Sequence, residues 1–279
     1  MASKKVIDMR SRPAFLHDFY GKTPGTPEFE VVKWLNGRVG SKNIDGYLRE
    51  IKETRITASV IVGRDTPGIK HSNDEVHEIV KRHKELVGVG SIDPHRWGIK
   101  AAVAEVERAV RELDLKAINV EPGFGSPPCK ADDKMLFPIY DACAQLGVPV
   151  TIMSGPTAPS LDLVNPSAVG HVARAFPNLA IVCYHGFYPY VNEIIGVAFR
   201  YANVFVVPDM YLFLPGGSLY VEAGNGFLRD QLLFGTSYPF RAMKQTVDDF
   251  VALGWRDEVL DLLLYKNAER VLGLPEAGR

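Results

Sequence analysis

Eight short β-branched or apolar runs, alternating with stretches of helical periodicity, most restrict the folds open to this chain. They cover residues 4–8 (KKVID), 59–63 (SVIVG), 86–92 (LVGVGSI), 115–120 (LKAINV), 148–153 (VPVTIM), 179–184 (LAIVCY), 204–207 (VFVV) and 231–234 (QLLF). Near-continuous apolar runs of this length suit strands covered on both faces, as in a parallel sheet. Between them, 44–54 places Ile44, Leu48 and Ile51 along one face, and 98–113 does the same with Val103, Val106 and Val110. The pattern predicts further helices over 74–86, capped at Asn73, over 135–145 with Gly147 as C-cap, and over 166–176, running into Pro177. Two more, 245–253 and 258–271, close the chain.

Strands alternating with helices indicate βαβ units and an α/β protein with a parallel sheet. Eight such strands in 279 residues fit one closed (β/α)8 barrel, a TIM barrel, over 1–279, with an open doubly wound sheet as the structural alternative. The first connection, about 9–43, carries Phe15, Phe19, Tyr20, Phe29 and Trp34. A long aromatic loop of this kind reads as functional or as a small cap over the barrel.

Composition narrows the function classes. A hydrophobic content of 46% and a charged content of 23% match an ordinary globular protein, and a net charge of -1 argues against a nucleic-acid binder. Cys129, Cys143 and Cys183 show no C-x-x-C spacing, which reads as a reduced, cytoplasmic protein. No apolar leader precedes the first strand and no run approaches the roughly 18 apolar residues of a membrane span, so no membrane partner is expected.

In such a barrel the C-terminal strand ends build the active site. Arg10 and Arg12 are two apart, which puts them on one face of the first strand, and two converging guanidiniums can clamp a carboxylate or phosphate. The alternative is that one of them pairs with Asp8 or Glu121. His185, ending the sixth run, is a candidate general acid, base or hydrogen-bond donor, or else a satisfied polar group. Glu121 is either an acid–base group or a counter-ion of the arginines. Arg64, Asn119, Ser154, Tyr211, Ser237 and Tyr238 also fall at strand ends, as candidate substrate contacts. His71, His77 and His83 are six apart, not at the i, i+4 spacing of a helical metal pair, and read as solvated.

Four stretches carry a resemblance that spans nearly the whole chain: Val6-Ile7-Asp8, 88–94 (GVGSIDP), 233–239 (LFGTSYP) and 266–274 (KNAERVLGL). They resemble the motifs of the amidohydrolase-related (amidohydrolase 2) family typified by aminocarboxymuconate-semialdehyde decarboxylase. The resemblance implies a TIM barrel acting on carboxylated substrates by hydrolysis, decarboxylation or hydration. It also implies a divalent metal held by two histidines of strand one, histidines of strands five and six, and an aspartate of strand eight. Those positions are Arg10, Arg12, Met153, His185 and Ser237 here, and His185 alone matches. Guanidiniums cannot ligate a dication, thioether and neutral hydroxyl are poor zinc ligands, and one imidazole is too few.

The expectation is therefore an enzyme, hydrolase or non-oxidative decarboxylase, with no cofactor and an arginine clamp on a small carboxylate substrate. Zinc is disfavoured, with His185 as its ligand if it binds. The pyrone-dicarboxylate lactonase relatives, understood to work without metal, give a precedent. The alternatives are a metal-dependent hydrolase with unconventional ligands, such as Glu121, Asp209 or Asp93, and an inactive barrel that binds an acidic metabolite. A homodimer is left open.

Overall fold

The computed structural model describes residues 5–13, 40–41, 43–67 and 69–275. The aromatic residues of the expected cap lie outside the described residues.

Seven strands form one parallel sheet: β1 (Val6–Ser11), β2 (Ile56–Val62), β5 (Leu86–Ser91), β6 (Ile118–Val120), β7 (Val150–Met153), β8 (Ile181–Tyr184) and β9 (Val204–Val207), hydrogen-bonded in that order. A small antiparallel hairpin, β3 (Arg64–Thr66) with β4 (Ile69–His71), follows β2 and was not foreseen from the sequence. Residues 231–238 complete the wall as an eighth segment without a regular strand. Leu233 N–H donates to the Val206 carbonyl at 2.9 Å and Met9 N–H to that of Phe234 at 3.0 Å. Further along, Ser237 N–H donates to the Arg10 carbonyl at 3.0 Å and Arg12 N–H to that of Tyr238 at 2.9 Å. The segment pairs with β9 through its first half and with β1 through its second, so no continuous ladder forms on either side. Ser237, at φ 57, also takes a left-handed conformation that no strand accommodates. The chain is a TIM barrel, as the strand count predicts.

The core has two layers. Ile7, Met9, Val60, Val62, Val182 and Val207 fill the barrel interior, while Val6, Ile61, Val120 and Val206 face the surrounding helices. β1 departs from this alternation where it matters. With Ile7 and Met9 inside, strict alternation would turn Arg10 and Arg12 outward. The pairing of β1 with β2 shifts register between Asp8 and Ser11, and past that bulge Ser11 faces outward to Tyr47 (Oγ to Oη 2.7 Å). Arg10 and Arg12 thereby reach the inner mouth.

The helices follow the periodicity, with local differences. Asn73–Val80 is capped by Ser72 and Glu75 in a capping box, one residue before the expected Asn73. Asn73 instead accepts from Ser91 N–H (2.7 Å) and donates to Glu105 (2.7 Å), joining helix, strand and neighbouring helix. Gly147 closes Phe137–Leu146 at φ 70, a left-handed C-cap suited to glycine. The last expected helix is interrupted by a π turn, Leu262–Lys266, where the Leu263 carbonyl accepts from Phe234 N–H at 3.0 Å. Val191–Arg200 and Ser218–Gly224 are additional helices. Among the described residues no helix is long and apolar enough to cross a membrane.

Candidate active site

A cavity of about 50 Å³ opens at the C-terminal ends of the strands, where this fold places its chemistry. Arg10, Arg12, Arg64 and Glu121 line one side, and Ser154, His185 and Tyr211 the other. Phe124, Met153, Met210 and Phe240 supply apolar surface between them. Seven of the ten residues singled out from the sequence thus meet at one cavity, while Asn119, Ser237 and Tyr238 do not line it.

The first side is pinned. Arg12, 1% exposed, donates from Nη2 to Glu121 Oε1 at 2.6 Å and to the Gly63 carbonyl at 3.1 Å, and from Nε to the Val62 carbonyl at 3.2 Å. Arg64 Nε stands 3.0 Å from Glu121 Oε2, and Asn119 Nδ2 donates to Oε1 at 2.9 Å. Asn119 is in turn fixed by Thr151 Oγ1 at 2.9 Å. Burial by itself would push the Glu121 carboxyl up, but the guanidiniums of Arg12, Arg64 and Arg10 outweigh it and pull it down to about 2. Glu121 is thus a fixed anion at any physiological pH, and its surroundings suit a counter-ion better than a proton carrier. Arg10 lies with Cζ 6.0 Å from the Tyr184 ring centre. Asp8, the other partner considered for the arginines, instead accepts from Thr236 N–H and Oγ1 (2.8 and 2.7 Å) and from Arg10 N–H (3.1 Å), stitching β1 to the eighth segment.

The second side is built from strained turns. His185 (φ 60) follows β8 and Asp209 (φ 44) follows β9, both in the left-handed region. Non-glycine residues held there cost energy and cluster at functional sites. The two backbones bring His185 Nδ1 within 3.0 Å of Asp209 Oδ1 and 2.8 Å of Oδ2. An imidazole whose Nδ1 faces a carboxylate keeps its proton there, leaving Nε2 as the basic nitrogen. Burial lowers the His185 pKa below its ordinary value, and Arg10 and Arg12 lower it further, against the pull of Asp209 in the other direction. Tyr211 packs edge-on against His185, with centroids 5.1 Å apart, and is stacked by Tyr188 at 5.0 Å. Gly155, at φ 142, keeps backbone close to both His185 and the Tyr211 hydroxyl. Ser154 Oγ, buried, donates to the Tyr184 carbonyl at 2.8 Å.

Two of the singled-out hydroxyls lie elsewhere. The Tyr238 hydroxyl accepts from Ser41 N–H (2.6 Å) and donates to Glu50 Oε1 (2.9 Å), and its ring packs on Tyr47, so it ties the barrel to Ile44–Lys52. Ser237 is fully buried within the eighth segment. The pairing of Asp209 with His185 was missed in sequence. Its signal lies in the register, because Tyr184 pairs with Val207 and the residues just beyond each strand end are therefore neighbours.

The donor chemistry at the positions where the family holds its metal does not suit a dication. Two guanidiniums and a thioether surround the His185 ring, and the nearby Glu121 oxygens are already taken by cationic and amide donors. Among the described residues, Glu121, Asp209 and Asp93 are not gathered into a common ligand cluster.

The family model described as amidohydrolase matches residues 43–274, and the chain belongs to that family. An uncharacterized TIM-barrel protein from Bordetella bronchiseptica is 34% identical, with a TM-score of 0.87 over 99% of this chain and 100% of that one. 5-Carboxyvanillate decarboxylase from Sphingomonas paucimobilis (14% identity, TM-score 0.71, 98% and 100% covered) shares the fold. So does a dihydroxybenzoic acid decarboxylase from Polaromonas sp. JS666, solved with bound manganese and the inhibitor 2-nitroresorcinol (17% identity, TM-score 0.71, 99% and 98% covered). The search of curated proteins returned no match.

Proposed function

We propose that the chain is an enzyme that hydrolyses a small carboxylate-bearing substrate at the barrel mouth without a metal there. The observation that carries the reading is the cavity's charge. Arg10, Arg12 and Arg64 line the cavity together with Glu121, whose Oε1 accepts from Arg12. A lining this rich in guanidinium suits an anionic substrate, received by Arg10 and Arg64 beside the pinned Arg12.

His185 is the group able to move a proton. Neutral near pH 7 because burial lowers its pKa, it accepts a proton at Nε2 from water as the oxygen attacks the substrate's acyl carbon. Asp209 stabilises the resulting imidazolium. The carbonyl π electrons move onto oxygen, where fixed cations offset the charge in a site with little water. Collapse of the tetrahedral species breaks the bond to the leaving oxygen, which takes the proton back from His185. Glu121 orients Arg12 and Arg64.

The second reading is non-oxidative decarboxylation, which the names of the structural neighbours favour. There His185 would enter protonated and deliver its proton to the carbanion left by departing carbon dioxide. A lowered pKa works against that starting state.

The test is turnover of a panel of carboxylated lactones, esters and aromatic acids, with and without chelator, by wild type and Arg10→Ala. Chelator-resistant turnover that falls about 10²–10³-fold in the variant is the expected result for a lost oxyanion or anion donor. Turnover abolished by chelator and restored by manganese, together with a metal equivalent lost on His185→Asn, would overturn the metal-free reading.

A further inference from the structure

A second, oppositely charged recess lies beside the mouth. It is small and is lined by Asp65, Asp93, His95, Glu121 and Cys129, between the loops that follow β5 and β6. His95 belongs to the short helix Pro94–Trp97, whose N-cap is Asp93. The second loop brings Cys129 against the Pro122 carbonyl (N–H to O 2.9 Å), and Asp133 is fixed by Met135 N–H donating to Oδ1 at 2.8 Å.

We propose that His95, Cys129 and Asp133 form a zinc site, with Asp93, which lines the same recess, supplying the fourth contact through water. Ligand atoms of the first three all lie within 4.8 Å of one another, and His95 Nε2 is 3.7 Å from Asp133 Oδ1. Donors around tetrahedral zinc stand roughly 3.3–3.8 Å apart, given bonds of about 2.0–2.3 Å, so closure takes small side-chain rotations. An independent observation points the same way. Asp93 is 9% exposed, its Oδ1 caps His95 N–H at 3.0 Å, and its Oδ2 lies buried with no hydrogen-bond partner. A Cβ at Gly125 would stand 3.4 Å from that oxygen, so the glycine leaves room above it. A buried carboxylate oxygen without a partner is costly, and a cation in the recess would satisfy it.

Mixed sulfur, nitrogen and carboxylate donors select zinc over magnesium or calcium. Binding converts the Cys129 thiol to a zinc thiolate and releases its proton to solvent, with no change of oxidation state. Arg96, on the same short helix as His95, is engaged by Asp65. The ion would clip the two loops together at the rim of the mouth, beside the arginine-lined cavity with which the recess shares Glu121. This site does not depend on the hydrolytic reading.

The experiment uses the full chain and zinc or cobalt(II) ions alone. Wild type, Cys129→Ser, Asp93→Asn and His185→Asn are dialysed against zinc and their metal content measured. Cobalt(II) spectra and melting temperatures with and without zinc are recorded alongside. Expected are one equivalent in wild type and His185→Asn, a thiolate-to-cobalt charge-transfer band in both, and loss of band and equivalent in Cys129→Ser. Asp93→Asn should bind at least about tenfold more weakly while melting normally without zinc; one kept contact of 1.4 kcal/mol is worth that factor. No equivalent in wild type, or one retained with its band in Cys129→Ser, overturns the site. An equivalent lost on His185→Asn and kept in Cys129→Ser would overturn it too, and would also sink the metal-free mouth.

Discussion

The two sides of the mouth each bury a carboxylate, yet the two are partnered for different work. On the β1–β6 side, Glu121 is shared among Arg12, Arg64 and Asn119 and pulled down to about 2, so nothing in the physiological range changes its charge. On the β8–β9 side, Asp209 faces the single imidazole of His185, whose pKa burial lowers against the pull of that carboxylate. The first is a fixed electrostatic frame, and the second holds the group that the proposed hydrolysis uses to move a proton. What separates them is whether the buried carboxylate meets permanent cations or a titratable one.

The largest expected effect breaks the fixed side. Glu121→Gln leaves Arg12 and Arg64 charged in a buried setting with their counter-ion removed, and losing one partner of such a pair costs about 3–5 kcal/mol. Urea unfolding at pH 7 should show a loss of that size; less than about 1 kcal/mol would mean that the Val62 and Gly63 carbonyls at Arg12 and the Thr66 hydroxyl at Arg64 hold the guanidiniums without the carboxylate's charge.

A smaller effect is expected on the other side. Asp209→Asn keeps the left-handed backbone, which asparagine tolerates, while removing the charge that raises the His185 pKa. Turnover should fall by at least about 10²-fold, the usual range for a displaced or misoriented base. The acidic limb of the pH–rate profile should move to lower pH. An unmoved limb with a lower plateau would assign Asp209 a merely structural role.

Much of this was legible in the chain itself. Alternating runs gave the barrel, and the strand ends gave Arg10, Arg12, Arg64, Glu121, Ser154, His185 and Tyr211, which converge on one cavity. Two things were hidden. The bulge in β1 that turns both arginines inward depends on pairing register, which one strand's residues do not encode. The eighth segment was placed correctly, but its switch of partners and the left-handed Ser237 send Tyr238 toward Glu50 and not to the cavity. The LFGTSYP motif locates the segment without revealing the direction of its side chains.

Asp8 sharpens the comparison at the smallest scale. It is buried as completely as Glu121, but its donors are neutral: the Thr236 and Ser59 hydroxyls and the N–H groups of Thr236 and Arg10. Desolvation therefore wins, and its carboxyl is raised to about 6 from an ordinary value of 3.8. A carboxyl with a raised folded-state pKa contributes stability that is full below about pH 4 and lost as pH rises through about 6. Two pH units correspond to about 3 kcal/mol. Asp8→Asn removes that dependence while keeping an acceptor for both N–H groups and letting the hydroxyls turn to accept from its amide. Relative to this variant, wild type should lose up to about 2–3 kcal/mol between pH 4.5 and 7.5, read by urea unfolding at each pH. Equal stability differences at the two pH values would mean that Asp8 is ionised throughout. Neutral donors would then have achieved at Asp8 what takes three guanidiniums at Glu121, and the distinction between the two kinds of buried carboxylate would fall.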